Sequence, residues 1–428
     1  MPDGLNLRRN VVYAVAELGV NAALLFLSYR MIIWQGGLAV LGLWSTLYAW
    51  TTLIRVGDLG MANATTRLVA LHDIRSEPER IRQYIETGII SQAAIYLALA
   101  TVGYLSLSAF IAGSVGVEHR AQAEQVLPYL FASFFLFNLA GTVLGSIQGL
   151  HIGYVRSQLA VFGTLLQLFG VVVLVPQLQL VGLAVAQILQ YLIVNVIGWL
   201  LLRRYAGATN WLPRRFSRPA LAEMLSFSLA SQVASSASGL FEPFSKMLVG
   251  TFGGLHLLGL YELAYKTVSL PRNIVVAGVS ASIPAMSRLL VIDPERSRRL
   301  YRQSVRRGTL AMGGVGLLLV FGAPLASLAM TASLEHTYLW MCAILFAGFF
   351  ANTNGAAAYN LGMASARLRG NIIAAFAALT ALAALALVLG PLVPVYGVAI
   401  AAAVGLIASG VGARLLNEPL LNLTRTDS

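Results

Sequence analysis

The chain has 428 residues, of which 58% are hydrophobic and only 11% are charged. Soluble domains carry about 25% charged residues, so this composition excludes an ordinary soluble protein. A lipid bilayer accepts only helix bundles and closed barrels, and the long uninterrupted apolar runs favour helices over the alternating pattern of barrel strands. The net charge of +12 follows from arginines in the loops and does not require nucleic acid. The sequence therefore predicts an all-α polytopic membrane protein.

Twelve apolar segments are long enough to cross the bilayer, at about 20 residues each. The predicted spans are residues 11–32, 37–57, 84–113, 125–148, 157–176, 180–202, 223–250, 257–283, 307–330, 337–361, 370–390 and 393–414. Arginines concentrate in every second loop, whereas the alternate loops hold a single arginine, Arg120. Because arginine-rich loops stay in the cytoplasm, we expect a multi-pass protein of the bacterial cytoplasmic (inner) membrane with both termini cytoplasmic.

The two halves of the chain share a repeat. The stretch GLWSTLYAWTTLIR at residues 42–55 aligns with GLYELAYKTVSLPR at residues 259–272. Since each half holds six spans, the copies have the same orientation and are parallel repeats about an axis along the membrane normal. The predicted organisation is an N-terminal six-helix lobe over 1–205, a cytoplasmic linker over 206–222 and a C-terminal six-helix lobe over 223–428, with a cavity between the lobes.

Charged residues within the spans indicate function, because an ionisable group in hydrocarbon is unfavourable by about 2.5–3.5 kcal/mol on insertion scales. Both lysines lie in spans, and each follows a glutamate by one helical turn. At 100° per residue, polar side chains form one face on each of spans 1, 2, 7 and 8. The charged residues of these spans are Glu17, Arg30, Arg55, Asp58, Glu242, Lys246, Glu262, Lys266 and Arg272, of which Arg30 points away from the polar face on an ideal helix.

Four polar faces fit one wet central cavity in which five bases outnumber four acids. Arginine forks bind phosphate oxygens bidentately and lysine adds a point charge, so both types together favour a phosphate or pyrophosphate ligand. An alternative interpretation stays open, in which Glu242–Lys246, Glu262–Lys266 and Arg55–Asp58 are structural ion pairs. The serines of span 7 (Ser228, Ser231, Ser235 and Ser238) line the cavity in the first interpretation and pack against a helix in the second.

At these positions the chain resembles the Wzx-type polysaccharide biosynthesis (O-antigen) flippases of the multidrug/oligosaccharidyl-lipid/polysaccharide exporter superfamily. The resemblance rests on Gly42-Leu43-Trp44, on Asp58-Leu59-Gly60 followed by Arg67, and on the run from Gly259 to Lys266 with Pro271-Arg272-Asn273. It implies two six-helix lobes around a V-shaped central cavity, and a lipid-linked oligosaccharide as substrate. By position it implies substrate-binding roles for Arg30, Arg55, Lys246, Lys266 and Arg272.

We therefore expect translocation of a polyprenyl-pyrophosphate-linked oligosaccharide from the cytoplasmic to the periplasmic leaflet by alternating access. The sequence has no P-loop and no metal-ligand spacing, so we expect a transporter without a cofactor or metal, and not an enzyme. Energy would come from H+ or Na+, from the membrane potential or from consumption of the product, with Glu17, Asp58, Glu242 and Glu262 as ion-coupling candidates. The expected partners are the lipid-linked substrate, membrane lipids and polysaccharide polymerase or assembly proteins, and no nucleic acid.

Two alternatives remain open. An ion-coupled drug/cation antiporter of the same fold would need an acid-dominated cavity, whereas this sequence supplies more bases than acids. A membrane glycosyltransferase or ligase that uses a polyprenyl-linked sugar would need a catalytic site on a sizeable outer loop. The predicted outer loops are short and nearly free of charge.

Overall fold

The computed structural model describes residues 4–74, 76–114, 116–206, 211–365 and 367–422, without the side chains of residues 4–12, 14–16, 114, 227, 229–238, 284, 291 and 422. This described part is helical and contains no strand. The helices are α1 (Gly4–Ile54), α2 (Met61–Leu71), α3 (Pro78–Ser114), α4 (Val117–Gly149), α5 (Gly153–Ala206), α6 (Arg218–Gly239), α7 (Phe241–Ser280), α8 (Ile283–Ile292), α9 (Pro294–Thr331), α10 (His336–Asn354), α11 (Ala356–Ala364), α12 (Arg369–Leu392) and α13 (Gly397–Asn417).

Nine helical stretches of the described chain are long and apolar enough to cross a membrane. Three of them contain one residue with a non-helical backbone, namely Gly37 in α1, Gln179 in α5 and Gly254 in α7. Each of these residues lies at the junction of two predicted spans. The long helices α1 and α5 each hold two predicted spans, whereas predicted span 223–250 is divided between α6 and α7. The predicted all-α multi-pass fold is confirmed, while the number of twelve crossings stays a prediction.

Two of the three breaks require glycine. Gly37 has φ 73° and Gly254 has φ 74°, a left-handed conformation that glycine adopts without steric penalty. The two glycines occupy equivalent positions of the repeat, since they are separated by the same interval as Gly42 and Gly259. The repeat that the sequence predicts therefore extends to the backbone geometry of the helix breaks.

A second symmetric feature joins the segment around Gly42 to α7. A Cβ on Gly42 would overlap the carbonyl oxygen of Leu255, and a Cβ on Gly259 would overlap that of Leu38. Leu38 and Leu255 are themselves equivalent positions of the repeat. Only residues without a side chain allow two backbones to approach this closely, which accounts for a glycine at both positions.

The chain packs into two compact units. Unit 1 comprises Met1–Gly36 and Trp50–Val233, and unit 2 comprises Gly37–Ala49 and Ala234–Ser428. This division differs from the predicted lobes, because the segment around Gly42 packs on α7 and because the predicted linker packs on α3. Buried Glu86 accepts the backbone N–H groups of Arg214 and Arg215 at 2.7 and 2.8 Å. The described residues of the predicted linker, 206 and 211–222, thus pack in unit 1, and its cytoplasmic location stays a prediction.

Candidate functional site

Four charged side chains of α7 form one network in unit 2. Lys246 Nζ lies 2.6 Å from Glu242 Oε1 and 2.6 Å from Glu262 Oε2, and Lys266 Nζ lies 2.6 Å from Glu242 Oε1. Ser45 Oγ donates to Glu262 Oε2 at 2.6 Å. The break at Gly254 turns the second part of α7 back onto the first, which brings the two glutamate–lysine motifs together.

This network changes one predicted pairing. The intrahelical Glu242–Lys246 pair is present. The expected Glu262–Lys266 pair is not formed in this described part of α7, where Lys266 binds Glu242 across the break and Glu262 binds Lys246. The helical spacing is the same in both motifs, so the cross-break contacts decide which partners meet.

Burial separates the two lysines. The side chains of Lys246 and Glu262 are only 3% and 2% exposed, whereas Lys266 is 20% and Glu242 is 32% exposed. A buried charge needs partners to offset its lost hydration, and Lys246 has two carboxylates. Lys246 therefore holds the network together from within, and Lys266 and Glu242 are its accessible members.

A cavity of about 400 Å³ lies in unit 2, and we call it the unit 2 cavity. Its wall includes Glu242 of the network together with Arg272 and the amides Asn273 and Asn352. Arg272 Nη2 donates to Asn352 Oδ1 at 2.5 Å, and Nη1 donates to Asn273 Oδ1 at 3.1 Å. The guanidinium carbon lies 5.7 Å from the centre of the Phe349 ring.

The charge of Arg272 is not cancelled by an acid within 4 Å among the described residues. Its partners are neutral amides, and its Nε is buried without a hydrogen-bond partner in the described part of the chain. The four network residues carry two positive and two negative charges, so Arg272 leaves this group with a net charge of +1. The unit 2 cavity thus presents one cation with spare hydrogen-bonding capacity.

A second cavity, of about 420 Å³, lies within unit 1, and we call it the unit 1 cavity. Its wall includes Glu17, Arg55, Asp58 and Arg156. Arg156 Nη1 lies 3.3 Å from Glu17 Oε2, and the guanidinium carbon of Arg55 lies 5.2 Å from the centre of the Phe137 ring. The two bases and two acids balance, so this wall is neutral.

The predicted Arg55–Asp58 ion pair is not formed between these two described residues. Asp58 Oδ1 instead accepts the backbone N–H of Gly60 at 3.1 Å, in the turn that precedes α2. Arg156 lies in one of the arginine-rich loops that predict the orientation of the chain, and the sequence did not indicate its place in the cavity wall. Its partner Glu17 lies on another helix, so no helical periodicity could have indicated the pair.

The predicted site residues therefore divide between the two units. Glu242, Lys246, Glu262, Lys266 and Arg272 come together in unit 2, and Glu17, Arg55 and Asp58 come together in unit 1. Arg30 is half-buried in α1 and lines neither of these two cavities. Their predicted gathering in one central cavity stays a prediction.

The structure describes the side chain of only one of the four serines of span 7. Ser228 is fully buried, so this serine does not face water. The side chains of Ser231, Ser235 and Ser238 lie outside the described residues. Helical periodicity does not indicate Asn352, which orients Arg272, because Asn352 lies 80 residues further along the chain on α10.

The sequence matches the family of polysaccharide biosynthesis proteins over residues 20–290. The chain belongs to this family. The match includes all five predicted substrate-binding residues. A comparison with curated proteins gives no match.

Solved structures of transporters have the same fold as this polysaccharide biosynthesis family member. An inward-facing multidrug resistance MATE family transporter of the MOP superfamily matches with a TM-score of 0.79 and 14% identity, over 98% of this chain and 96% of that one. An outward-facing MATE family transporter matches with a TM-score of 0.71 and 13% identity, over 97% and 95%. A MOP superfamily transporter from Pyrococcus furiosus Vc1 (DSM3638), for which a reverse polarity of the binding pocket suggests a different function, matches with a TM-score of 0.69 and 15% identity, over 97% and 96%.

Identities this low establish the fold and nothing about the ligand. Family and fold together identify a multi-pass membrane protein of the polysaccharide biosynthesis family, built on the fold of the MOP superfamily. The resemblance that the sequence motifs indicated is confirmed at this level.

Proposed function

We propose that this protein translocates a polyprenyl-pyrophosphate-linked oligosaccharide from the cytoplasmic to the periplasmic leaflet of the bacterial inner membrane, for cell-surface polysaccharide assembly. Membership of the polysaccharide biosynthesis family supports a glycan-related cargo. The observation that carries the choice of a pyrophosphate-linked cargo is Arg272, an arginine without an acidic partner among the described residues of the unit 2 cavity.

Arg272 has the chemistry of an anion ligand. Two amide oxygens, from Asn273 and Asn352, fix the guanidinium without neutralising it. A guanidinium binds two phosphate oxygens in a fork, and the buried Nε supplies a further donor. A diphosphate entering this cavity would therefore meet a positioned cation.

Lys266 is the second proposed ligand. Its side chain is 20% exposed, and its partner Glu242 lies in the wall of the same cavity. A diphosphate would compete with Glu242 for this ammonium, while Lys246 keeps its own bond to Glu242. Glu242 would then have lost one of its two cations, which makes it the ion-coupling candidate of unit 2.

The roles proposed for the other residues follow from their positions. Arg55, Glu17 and Asp58 line the unit 1 cavity, where the two acids are candidates for coupling to H+ or Na+. Lys246 would act by holding Glu242 and Glu262 in place. Alternating access, both cytoplasmic termini and partners among polysaccharide polymerase or assembly proteins remain part of the proposal.

Ion-coupled antiport of a cationic drug is the second candidate function. The structural likeness to MATE family transporters favours it. Against it, the acids of the unit 1 cavity are matched by Arg55 and Arg156, and the unit 2 network is neutralised by its lysines. A transported organic cation needs an excess of acid, which neither group of residues provides.

The purified full chain in lipid nanodiscs tests the proposal. We expect it to bind farnesyl pyrophosphate more tightly than farnesol, and we expect Arg272→Gln to weaken the pyrophosphate binding at least about tenfold. Arg299→Gln, which removes an exposed arginine of α9, serves as the matched control and should bind as the parent does.

Transport completes this test. Proteoliposomes should move lipid-linked glycans extracted from the source cells, and Arg272→Gln should slow this movement. If Arg272→Gln binds farnesyl pyrophosphate as tightly as the parent, the pyrophosphate assignment is wrong. Uptake of an organic cation dye without any glycan movement would support the antiporter instead.

A further inference from the structure

The unit 1 cavity is rich in carboxamide side chains. A carboxamide offers two N–H donors and a carbonyl acceptor in one plane, which suits ligands with many hydroxyl groups. The six carboxamide residues in its wall are Asn21, Asn63, Gln92, Asn138, Gln148 and Gln190. Two aromatic residues, Phe137 and Tyr191, lie in the same wall with ring centres 5.1 Å apart.

Two of these carboxamides have an unused acceptor. Gln92 is 1% exposed and Gln190 is 7% exposed, and the Oε1 atom of each has no hydrogen-bond partner in the described part of the chain. A buried carbonyl oxygen without a donor is unfavourable unless the bound state provides one. Both glutamines belong to the cavity wall, and the described chain supplies no donor to either oxygen.

The orientation of Gln190 is fixed by its neighbours. Thr164 Oγ1 has one hydrogen and two acceptors for it, Asn21 Oδ1 at 2.8 Å and the Ala160 carbonyl oxygen at 3.0 Å. Thr164 Oγ1 also accepts from Gln190 Nε2 at 3.4 Å. This chain of bonds assigns the nitrogen of Gln190 to Thr164 and leaves Oε1 as the acceptor. A preorganised acceptor of this kind rejects ligands that lack a matching hydroxyl more strongly than an apolar wall does.

The charges of this cavity balance, so the wall has no excess of cations for a phosphate. Arg156 is paired with Glu17, and Arg55 lies over the Phe137 ring. The two buried carbonyl oxygens of Gln92 and Gln190 attract hydroxyl hydrogens. The volume of about 420 Å³ is within the range of ordinary ligand pockets, roughly 300–1,000 Å³.

We propose that the unit 1 cavity is a saccharide-recognition site, in which Gln92 and Gln190 accept hydrogen bonds from sugar hydroxyl or acetamido groups of the transported glycan. This assignment rests on the proposed flippase function and adds to it the part of the substrate that unit 1 recognises. Thr164 and Asn21 are positioning residues for Gln190.

Binding of sugar-bearing and sugar-free lipids tests this proposal. The full chain in nanodiscs is titrated with farnesyl pyrophosphate and with a panel of farnesyl-pyrophosphate monosaccharides that includes hexoses and N-acetylhexosamines. We expect at least one sugar to tighten binding over the sugar-free lipid. Gln92→Met and Gln190→Met conserve side-chain volume. Each should weaken binding of the sugar-bearing lipid about tenfold and leave binding of the sugar-free lipid unchanged.

Gln167→Met is the matched control, because Gln167 is a buried glutamine of α5 outside this cavity wall. It should change neither affinity. The proposal is overturned if no sugar in the panel binds better than the sugar-free lipid, or if the Gln92 and Gln190 variants weaken both lipids equally. It is also overturned if these variants weaken binding of Na+ or tetraphenylphosphonium but of no glycoside.

Failure of this site is distinguishable from failure of the flippase proposal. Arg272→Gln is expected to weaken sugar-free and sugar-bearing lipids by the same factor, because it acts on the pyrophosphate. If Arg272→Gln has no effect while the glutamine variants discriminate between sugars, the saccharide site stands and the pyrophosphate assignment fails.

Discussion

The unit 1 cavity and the unit 2 cavity are similar in volume and differ in how their arginines are held. In unit 1, Arg156 faces the carboxylate of Glu17, whereas Arg55, like Arg272 of unit 2, lies over an aromatic ring. In unit 2, Arg272 is held by two amides, and its charge is retained. The contrast between Arg156 and Arg272 shows that the partner of an arginine decides whether its charge is open to an anion.

The count of five bases and four acids in the sequence does not show this difference. The count treats every cation as equal, yet Lys246 is enclosed by two glutamates while Arg272 keeps a buried donor without a partner in the described part of the chain. Charge that is already neutralised stabilises the fold, and charge held by amides is available to a ligand. The two cavities thus offer different chemistry from similar residue types.

The largest expected effect comes from the enclosed lysine. Lys246→Met should destabilise the protein by about 3–5 kcal/mol, because it leaves two carboxylates without their shared cation. Membrane abundance and thermal unfolding measure this loss, and Arg120→Met, at an exposed pair with Glu124, provides the control. Adding Glu262→Gln to Lys246→Met should restore part of the stability. Unchanged unfolding of Lys246→Met would contradict the structural role.

An acid placed beside Arg272 should make unit 2 resemble unit 1. Asn352→Asp would pair the guanidinium with a carboxylate, and we expect about tenfold weaker binding of farnesyl pyrophosphate. Asn352→Ala loses the same amide contacts without adding a charge, so it should weaken binding less. Equal affinities for both variants would mean that the orientation of Arg272 matters and its free charge does not.

The reverse exchange in unit 1 should have the smallest effect. Glu17→Gln leaves Arg156 without a carboxylate, and we expect inorganic pyrophosphate to bind about threefold more tightly at low salt. The gain should disappear at high ionic strength, because this pair is partly exposed. Glu124→Gln, at the exposed pair with Arg120, should give no gain. A gain in both variants would point to general surface charge.

Composition and periodicity predicted the membrane class, the all-α fold and the repeat, because each depends on many residues at once. Local spacing also predicted the Glu242–Lys246 pair, which lies within one helical turn. Local spacing does not predict contacts between distant parts of the chain. Lys266 meets Glu242 only because the backbone reverses at Gly254, and helical angles within one span do not contain this reversal.

The same reason explains the missed amides. Asn352 is on α10 and meets Arg272 of α7, and Asn21 of α1 meets Thr164 of α5. A single sequence predicts the polar face of a helix, but not which neighbouring helix lies against it. The sequence also does not predict the division of the chain into units, because Gly37–Ala49 lies in the first half of the chain and packs in unit 2.

The bond between Ser45 and Glu262 joins two copies of one repeat position. In an assembly of two identical halves this position would meet itself, and a glutamate there would face a glutamate of equal charge. A single covalent chain removes that restriction, because each copy changes independently. Here one copy supplies a hydroxyl donor and the other a carboxylate, and only the carboxylate copy binds Lys246. The asymmetry between the two halves of this chain thus begins where its internal symmetry is closest.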